Sequence, residues 1–281
     1  MAISVIVRLT LREAARRKVL WGLVILTLLF LSLYALALSF FYGQITRFGG
    51  VPRGLRGFDI EALYNVWMMM ALYAANFLIV MMAVLISVDT VAGEIASGTI
   101  QSLAVKPLWR FEVLIGKWLG FAMMLGAYVL VLVGGVAAVT RLITGYAPPN
   151  LPGGFGLIYL EALVLLSVSI LGGTRLSTLA NGVLGFGAFG VAFIGGWIEQ
   201  IGSLPVVGSE AAVTIGHVAS LMMPSETLWR LASSLMGESG GVLSTPFSGF
   251  TTPDVGAVPY ALAYVAMALF LAVASFQRRD L

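Results

Sequence analysis

Cysteine is absent from this chain of 281 residues, and histidine occurs once, at His217. The lack of cysteine excludes disulfide bonds, thiolate catalysis and cysteine-ligated metal sites. A phosphate-binding loop is absent as well, because Gly116 and Lys117 are followed by Trp118 and lack the upstream glycine that such a loop requires. The sequence therefore contains no recognisable metal centre or ATP-binding motif of its own.

Charged residues are scarce, at 10% of the sequence, whereas soluble domains carry about 25%. Hydrophobic residues make up 59%, so there are too few charges to cover a water-facing surface. The composition predicts an integral membrane protein. In such a protein the length of the chain determines a number of membrane spans rather than a number of soluble domains.

Six membrane spans are predicted from the uncharged intervals of the sequence. A bilayer core of about 30 Å needs roughly 20 apolar residues in a helix, and five intervals are long enough. A sixth is interrupted only by Glu161 and follows a cluster of prolines and glycines. We therefore predict an all-α membrane protein with one transmembrane domain over 1–281 and spans at about 19–42, 65–88, 117–140, 155–174, 178–198 and 257–276.

The distribution of basic residues predicts the orientation, because lysine and arginine collect in short cytoplasmic flanks. With the N-terminus inside, eleven of the 16 basic residues fall on the cytoplasmic side and five outside. Both termini are therefore expected in the cytoplasm. The net charge of +3 is then explained by topology and requires no nucleic-acid partner.

Two segments outside the spans have helical patterns of their own. Residues 1–18 place apolar side chains on one face and arginines on the other, which predicts an amphipathic helix in the inner headgroup plane. The alternative is a simple basic anchor. Residues 203–250 contain two apolar runs, separated at Pro224, that are each too short to span. They predict re-entrant or interfacial helices on the outer side.

A short cytoplasmic helix is predicted at 97–106, where hydroxyl side chains can cap its start and Pro107 ends it. Ile100 and Leu103 share one face of this helix, with Ser102 on the other. A helix of about two turns is marginal alone, so its apolar face favours docking into a groove of another protein. The alternative is an interfacial turn that rests on lipid.

The residues around this helix follow a spaced pattern: an acidic residue, a Gly-Thr pair and an aliphatic residue, a leucine, a proline, a basic residue and a Gly-Lys pair. Here they are Glu94, Gly98, Thr99, Ile100, Leu103, Pro107, Arg110, Gly116 and Lys117. The pattern resembles the permease subunits of type-2 ABC transporters, and residues 276–281 are similar to the frequent ending of that family. Ala104 departs from it by replacing a second leucine, and Trp109 by replacing the common serine.

The resemblance implies that the 97–106 helix is a coupling helix seated in a separate ATP-binding subunit. The coupling residues it implies are Glu94, Gly98, Thr99, Ile100, Leu103, Pro107 and Arg110. It also implies no catalytic residue, metal or cofactor in this chain, with ATP and Mg²⁺ held by the partner. Two ATP-binding subunits and two permease copies, a homodimer rather than a heterodimer, would form an exporter in the inner membrane of a bacterium or archaeon.

Small residues at helical spacing mark two candidate contacts between helices, because they let backbones approach closely in lipid. The first consists of Gly116 and Gly120 at the start of the third span. The second consists of Ala188, Ala192 and Gly196 in the fifth span. We expect close helix packing at both places.

Glu161 is the only acidic residue well inside a predicted span, which makes it a candidate functional carboxylate. Arg141, across the proline-rich turn, is the nearest basic residue in sequence and the expected partner. Tyr159 or Ser167 would supply hydrogen bonds. The alternative is a carboxylate that reaches outer water.

Two other classes of function are weighed against the ABC transporter. A self-sufficient secondary transporter or channel is the main alternative, but such proteins usually place ionisable residues near the membrane midplane, and only Glu161 is a candidate. An intramembrane enzyme would need a nucleophile and base or a metal cluster, which the sequence lacks. The resembled family carries lipids, drugs, peptides, polysaccharide precursors, sodium and copper-maturation cargo, so the resemblance selects no substrate.

Overall fold

A computed structural model describes residues 2–16, 18–47, 59–88, 110–204, 206–237 and 256–278. Across these ranges the chain forms nine α-helices and no β-strand. They are α1 (Ala2–Ala15), α2 (Lys18–Arg47), α3 (Ile60–Ser87), α4 (Arg110–Thr144), α5 (Leu151–Gly173), α6 (Thr178–Gly202), α7 (Glu210–Met222), α8 (Ser225–Met236) and α9 (Ala257–Gln277). Six of them, α2 to α6 and α9, are long and apolar enough to cross a membrane. The prediction of an all-helical membrane protein with six spans is confirmed.

Several helices extend beyond the spans that the sequence predicted. α2 ends at Arg47 instead of near 42, and α4 covers 110–144 instead of 117–140. Charge-free intervals underestimate helix length because the backbone hydrogen bonds continue past the hydrocarbon core, where charged side chains reach water. The extension of α6 to Gly202 includes Glu199 in that helix. The predicted helix at 97–106 lies outside the described residues, as does the outer segment beyond 237.

The helix α5 lies at the centre of the bundle and packs against α3, α4, α6, α8 and α9. Of the residues in its most apolar stretch, 67% are buried, against 22% in α2 and in α9. Its start is defined by Asn150, whose side-chain oxygen accepts a hydrogen bond from the backbone N–H of Gly153 at 3.1 Å. A polar side chain on α5 is therefore enclosed by other helices.

The helices α7 and α8 form a hairpin that turns at Pro224 and packs against α6. Going along α7, Ala212 contacts Gly202 and Ala219 contacts Gly195, so α7 runs antiparallel to α6. On the other side of the turn, Glu226 of α8 contacts Gly196. At 1.5 Å per residue, the tip of this hairpin lies about 10 Å along α6 from its Gly202 end.

Three neighbouring helices, α3, α5 and α9, hold the two ends of the hairpin. On α9, the Tyr264 hydroxyl donates a hydrogen bond to the carbonyl of Met222, next to the tip, at 2.9 Å. The far end of α8 returns to the Leu151 end of α5, where Met236 packs against Gly154. Asn65 of α3 donates a hydrogen bond to the carbonyl of Met236 at 3.1 Å. The hairpin is thus anchored at its tip and at its exit.

Candidate functional site

The first candidate region lies at the start of α4, directly after the segment predicted to couple to an ATPase. The predicted coupling residues Glu94, Gly98, Thr99, Ile100, Leu103 and Pro107 lie outside the described residues. Arg110 is the first residue of α4. The structure therefore describes the helix that this segment enters, and what packs against it.

The amphipathic helix α1 lies against this part of α4. Ile6 contacts Gly116 and Thr10 contacts Gly120, so closely that a Cβ at either glycine would collide with them. Thr10 satisfies its hydroxyl by donating to the carbonyl of Ile6 at 2.9 Å. The Gly-x-x-x-Gly spacing thus provides the groove in which α1 packs against the start of α4.

The small residues of α6 pack against α3 at one end and against the α7–α8 hairpin at the other. Gly185 packs against Val84 of α3, while Gly195 and Gly196 pack against α7 and α8. Of the three residues singled out in the sequence, Ala192 is buried and Gly196 contacts Glu226, whereas Ala188 is half-buried. Gly195 lies outside the four-residue repeat of these three residues and packs against Ala219 of α7.

The second candidate region is a buried polar cluster where α3, α5, α6 and the hairpin meet. Glu161 of α5 is 1% exposed, and its Oε1 accepts a hydrogen bond from Nδ2 of Asn76 on α3 at 3.0 Å. Two expectations for Glu161 were wrong. It does not reach outer water, and its partner is Asn76 rather than Arg141, which is exposed near the end of α4.

The distance along α5 explains this correction. Glu161 lies ten residues from Leu151, about 15 Å along the helix, whereas Arg141 is in the last turn of α4. The other two expected partners are engaged elsewhere: the Tyr159 hydroxyl donates to the carbonyl of Ala122 and the Ser167 hydroxyl to the carbonyl of Leu163. Neither contacts the Glu161 carboxyl.

The charged members of the cluster lie around the hairpin. Arg230 of α8 is 4% exposed and donates a hydrogen bond to Oε2 of Glu199 on α6 at 2.9 Å. Glu226, one turn before Arg230, is also buried. At the rim, Nε2 of His217 lies 3.7 Å from Oε1 of Glu199, and the His217 side chain is 65% exposed. The guanidinium of Arg230 is therefore the basic group nearest to two carboxyl groups, those of Glu199 and Glu226.

Burial raises the pKa of Glu226 from its ordinary value of 4.5 to about 7. The Arg230 guanidinium lowers this pKa, whereas the negative charge of Glu199 raises it. Arg230 is committed to Glu199 by a direct hydrogen bond, so its compensation of Glu226 is incomplete. Glu226 thus changes charge near neutral pH.

We expect Glu226→Gln to remove a pH dependence of stability. Between pH 4.5 and about 7 the folded chain keeps a proton on Glu226 that the unfolded chain releases. The free energy of unfolding of the wild-type protein should therefore fall by about 3 kcal/mol as the pH rises through this window. Glutamine is neutral throughout and should flatten this loss. Thermal unfolding of both proteins across the window measures it, and equal pH slopes would contradict the assignment.

The sequence contains only partial signals for this cluster. Glu199, Glu226 and Arg230 lie outside the predicted spans, in or next to the segment that is predicted on the outer side. Asn76, a polar residue in the middle of an apolar span, is the signal in the sequence that indicates a buried polar contact there. Their convergence depends on how the hairpin folds back along α6, which spacing alone does not specify.

The described residues define a class of protein before any comparison. Six helices are long enough to cross a membrane, a polar cluster is buried where α3, α5, α6 and the hairpin meet, and the amphipathic helix α1 packs against the start of α4. Within the ranges that the structure describes, no group of three or more His, Cys, Asp or Glu residues is placed to hold a metal. This is the architecture of a multi-span membrane protein with no metal centre in the part described.

Comparison with known proteins gives the family. Residues 4–281 match the model of the ABC-2 family transporter proteins, so the chain belongs to that family. It is 29% identical over 214 residues to a probable ABC transporter permease protein NosY of Stutzerimonas stutzeri, covering 73% of this chain and 77% of the relative. The corresponding protein of Pseudomonas aeruginosa is 28% identical over 221 residues, covering 74% and 78%. The resemblance to type-2 ABC permeases is confirmed.

Proposed function

We propose that this chain is the membrane subunit of an ATP-driven exporter, coupled through residues 97–106 to a separate ATPase. The observation that carries the proposal is the family match over 4–281, since it covers every span and the coupling motif together. The packing of α1 across Gly116 and Gly120 supports it, because a force on the segment before α4 would act on two helices that move together.

The proposed cycle alternates between two conformations of the transporter. ATP can shift the equilibrium between them only if it binds to the two conformations with different affinities. Two ATPases and a homodimer of this chain form the transporter, with its termini in the cytoplasm of a bacterial or archaeal cell. Closure of the ATPases moves the 97–106 helices, and α1 with α4 transmits the movement to the bundle. The substrate path lies at the dimer interface near α3 and α6.

The α7–α8 hairpin is the proposed outer gate. Its contacts with α6 include small residues, Gly195 against Ala219 and Gly202 against Ala212, which let the hairpin and α6 approach closely. The aromatic contact between Tyr73 of α3 and Trp229 of α8, with ring centroids 5.4 Å apart, ties the gate to the second span. A movement of α3 would therefore displace the hairpin through this contact.

The proposal predicts that the chain hydrolyses no ATP alone. The purified protein in lipid nanodiscs should show background turnover, because its sequence has no phosphate-binding loop. The complex purified with its ATPase from native membranes should hydrolyse ATP, and removal of Mg²⁺ should stop this. Turnover by a preparation that mass spectrometry shows to be free of other chains would contradict the proposal.

A further inference from the structure

The Glu161–Asn76 pair leaves two buried oxygens without a hydrogen-bond partner among the described residues: Oε2 of Glu161 and Oδ1 of Asn76. The two side chains are 1% and 5% exposed and are already joined by the 3.0 Å hydrogen bond between Asn76 Nδ2 and Glu161 Oε1. The two unsatisfied atoms are therefore the second oxygen of a carboxyl group and the oxygen of an amide group, and these two groups are already hydrogen-bonded to each other through their other atoms. Buried polar atoms normally find a partner, so this pair lacks something.

A carboxylate cannot complete the pair, because an ionised carboxyl group only accepts hydrogen bonds and the amide oxygen only accepts them as well. A neutral carboxylic acid can. Its hydroxyl donates to the amide oxygen while its carbonyl accepts from the amide nitrogen, so one hydrogen atom satisfies both unpaired oxygens. An ionised group at this depth would also be costly without a cation beside it.

The charges around the pair do not supply that cation. Glu226 of α8 is near enough for its charge to act on Glu161, and its effect is repulsive. Arg230 of α8 is hydrogen-bonded to Glu199 of α6. The charged residues of α3 and α4 lie towards the ends of those helices, and α9 contains none.

We propose that the Glu161–Asn76 pair is a proton-binding site inside the membrane. A proton from water adds to a lone pair of Glu161 Oε2, the charge of the carboxyl group goes from −1 to 0, and the new O–H donates to Asn76 Oδ1. No electron is transferred, and the only bond broken is an O–H bond of the hydronium ion that delivers the proton, which leaves a water molecule. Because Asn76 lies on α3 and Glu161 on α5, the proton joins these two spans by a second hydrogen bond.

The hairpin controls access to this site. Its tip lies about 10 Å along α6 from the Gly202 end, whereas Glu161 lies about 15 Å along α5 from Leu151, so the hairpin stands between the pair and that end of the bundle. Glu226 is near enough to Glu161 for its charge to act on that residue, and Glu199 lies 3.7 Å from the exposed His217. The proton is thus enclosed as long as the hairpin is in place, and opening the hairpin exposes it to water.

Infrared spectroscopy of the full chain in nanodiscs tests the site without transport substrate. At neutral pH the wild-type spectrum minus that of Glu161→Gln should contain a carboxylic-acid C=O band. Glutamine keeps one acceptor and one donor for Asn76, so the variant should fold. If Glu161→Gln does not fold, Glu161→Asp serves as the second variant. It keeps a carboxylic acid and should show the same band at a shifted frequency. Asn76→Leu should retain the carboxylic-acid band but shift it to higher frequency, because the hydrogen bonds to Asn76 are lost.

Sodium is the competing ligand, since a small cation would also satisfy the two oxygens. The acid band should therefore be the same in sodium chloride and in choline chloride at equal ionic strength. A band that disappears in sodium alone would overturn the proposal in favour of a sodium site. A wild-type spectrum without any acid band of Glu161 would overturn it in favour of a buried carboxylate, and an unshifted band in Asn76→Leu would refute the pairing.

Discussion

Leu103→Asp is expected to leave the chain inserted and folded but to remove the ATPase subunit on purification and abolish transport. In the proposed coupling helix, Ile100 and Leu103 form an apolar face, and each aliphatic side chain contributes about 1.5–3 kcal/mol when fully buried. An aspartate in the same groove adds the cost of desolvating a charge. Since 1.4 kcal/mol corresponds to a tenfold change in affinity, the loss of binding should exceed a hundredfold.

Ser102→Asp is the matched control for this variant, because it introduces the same charge on the opposite face of the same predicted helix. It should retain the ATPase and transport. Co-purification from membranes, with size-exclusion chromatography to verify folding, measures both variants. Equal retention of the ATPase by Leu103→Asp and Ser102→Asp would contradict the assignment of 97–106 as the coupling helix.

Arg230→Leu is expected to destabilise the chain by about 3–5 kcal/mol, the usual cost of removing one partner from a buried ion pair. The variant leaves Glu199 without its 2.9 Å hydrogen bond and removes the interaction that lowers the pKa of Glu226. The destabilisation should therefore be larger at alkaline pH, because without Arg230 the pKa of Glu226 is raised further and the ionised form of Glu226 is less stable in the folded chain. Thermal unfolding in detergent, followed by tryptophan fluorescence, measures it.

The double variant Arg230→Leu with Glu199→Gln separates charge from packing. It removes both members of the ion pair, and such replacements are often close to neutral, so most of the lost stability should return. If the double variant is as unstable as Arg230→Leu, the cause is the lost packing of the arginine stem rather than the stranded carboxylate. Wild-type stability in Arg230→Leu would show that the cluster contributes nothing.

The six spans could be predicted because their signal is local. A run of about 20 apolar residues has few alternatives in a membrane, and Pro224 with two short apolar runs was enough to place α7 and α8 in sequence. Helix ends were predicted less well. The extension of α6 to Gly202 changed Glu199 from an outer loop residue into a member of the buried cluster.

The polar cluster could not be predicted because its partners are distant in sequence. Asn76 and Glu161 are 85 positions apart, and Glu199 and Arg230 are 31 apart. Arg141 was chosen as the partner of Glu161 because it is close along the chain, yet the two helices carry these residues to different depths. Unlike the glycines of α4, whose spacing indicates a groove for a neighbouring helix, buried charges do not indicate their partners.

Photo-crosslinking from position 103 tests the central claim most directly, because the chain has no native cysteine and a single Leu103→Cys can carry a benzophenone group. In native membranes this protein should crosslink to one chain, which mass spectrometry should identify as an ATPase with a phosphate-binding loop. Ser239→Cys, in the predicted outer segment, should give no such product. A crosslink from position 103 to lipid alone, or an ATPase crosslink from position 239, would contradict the account.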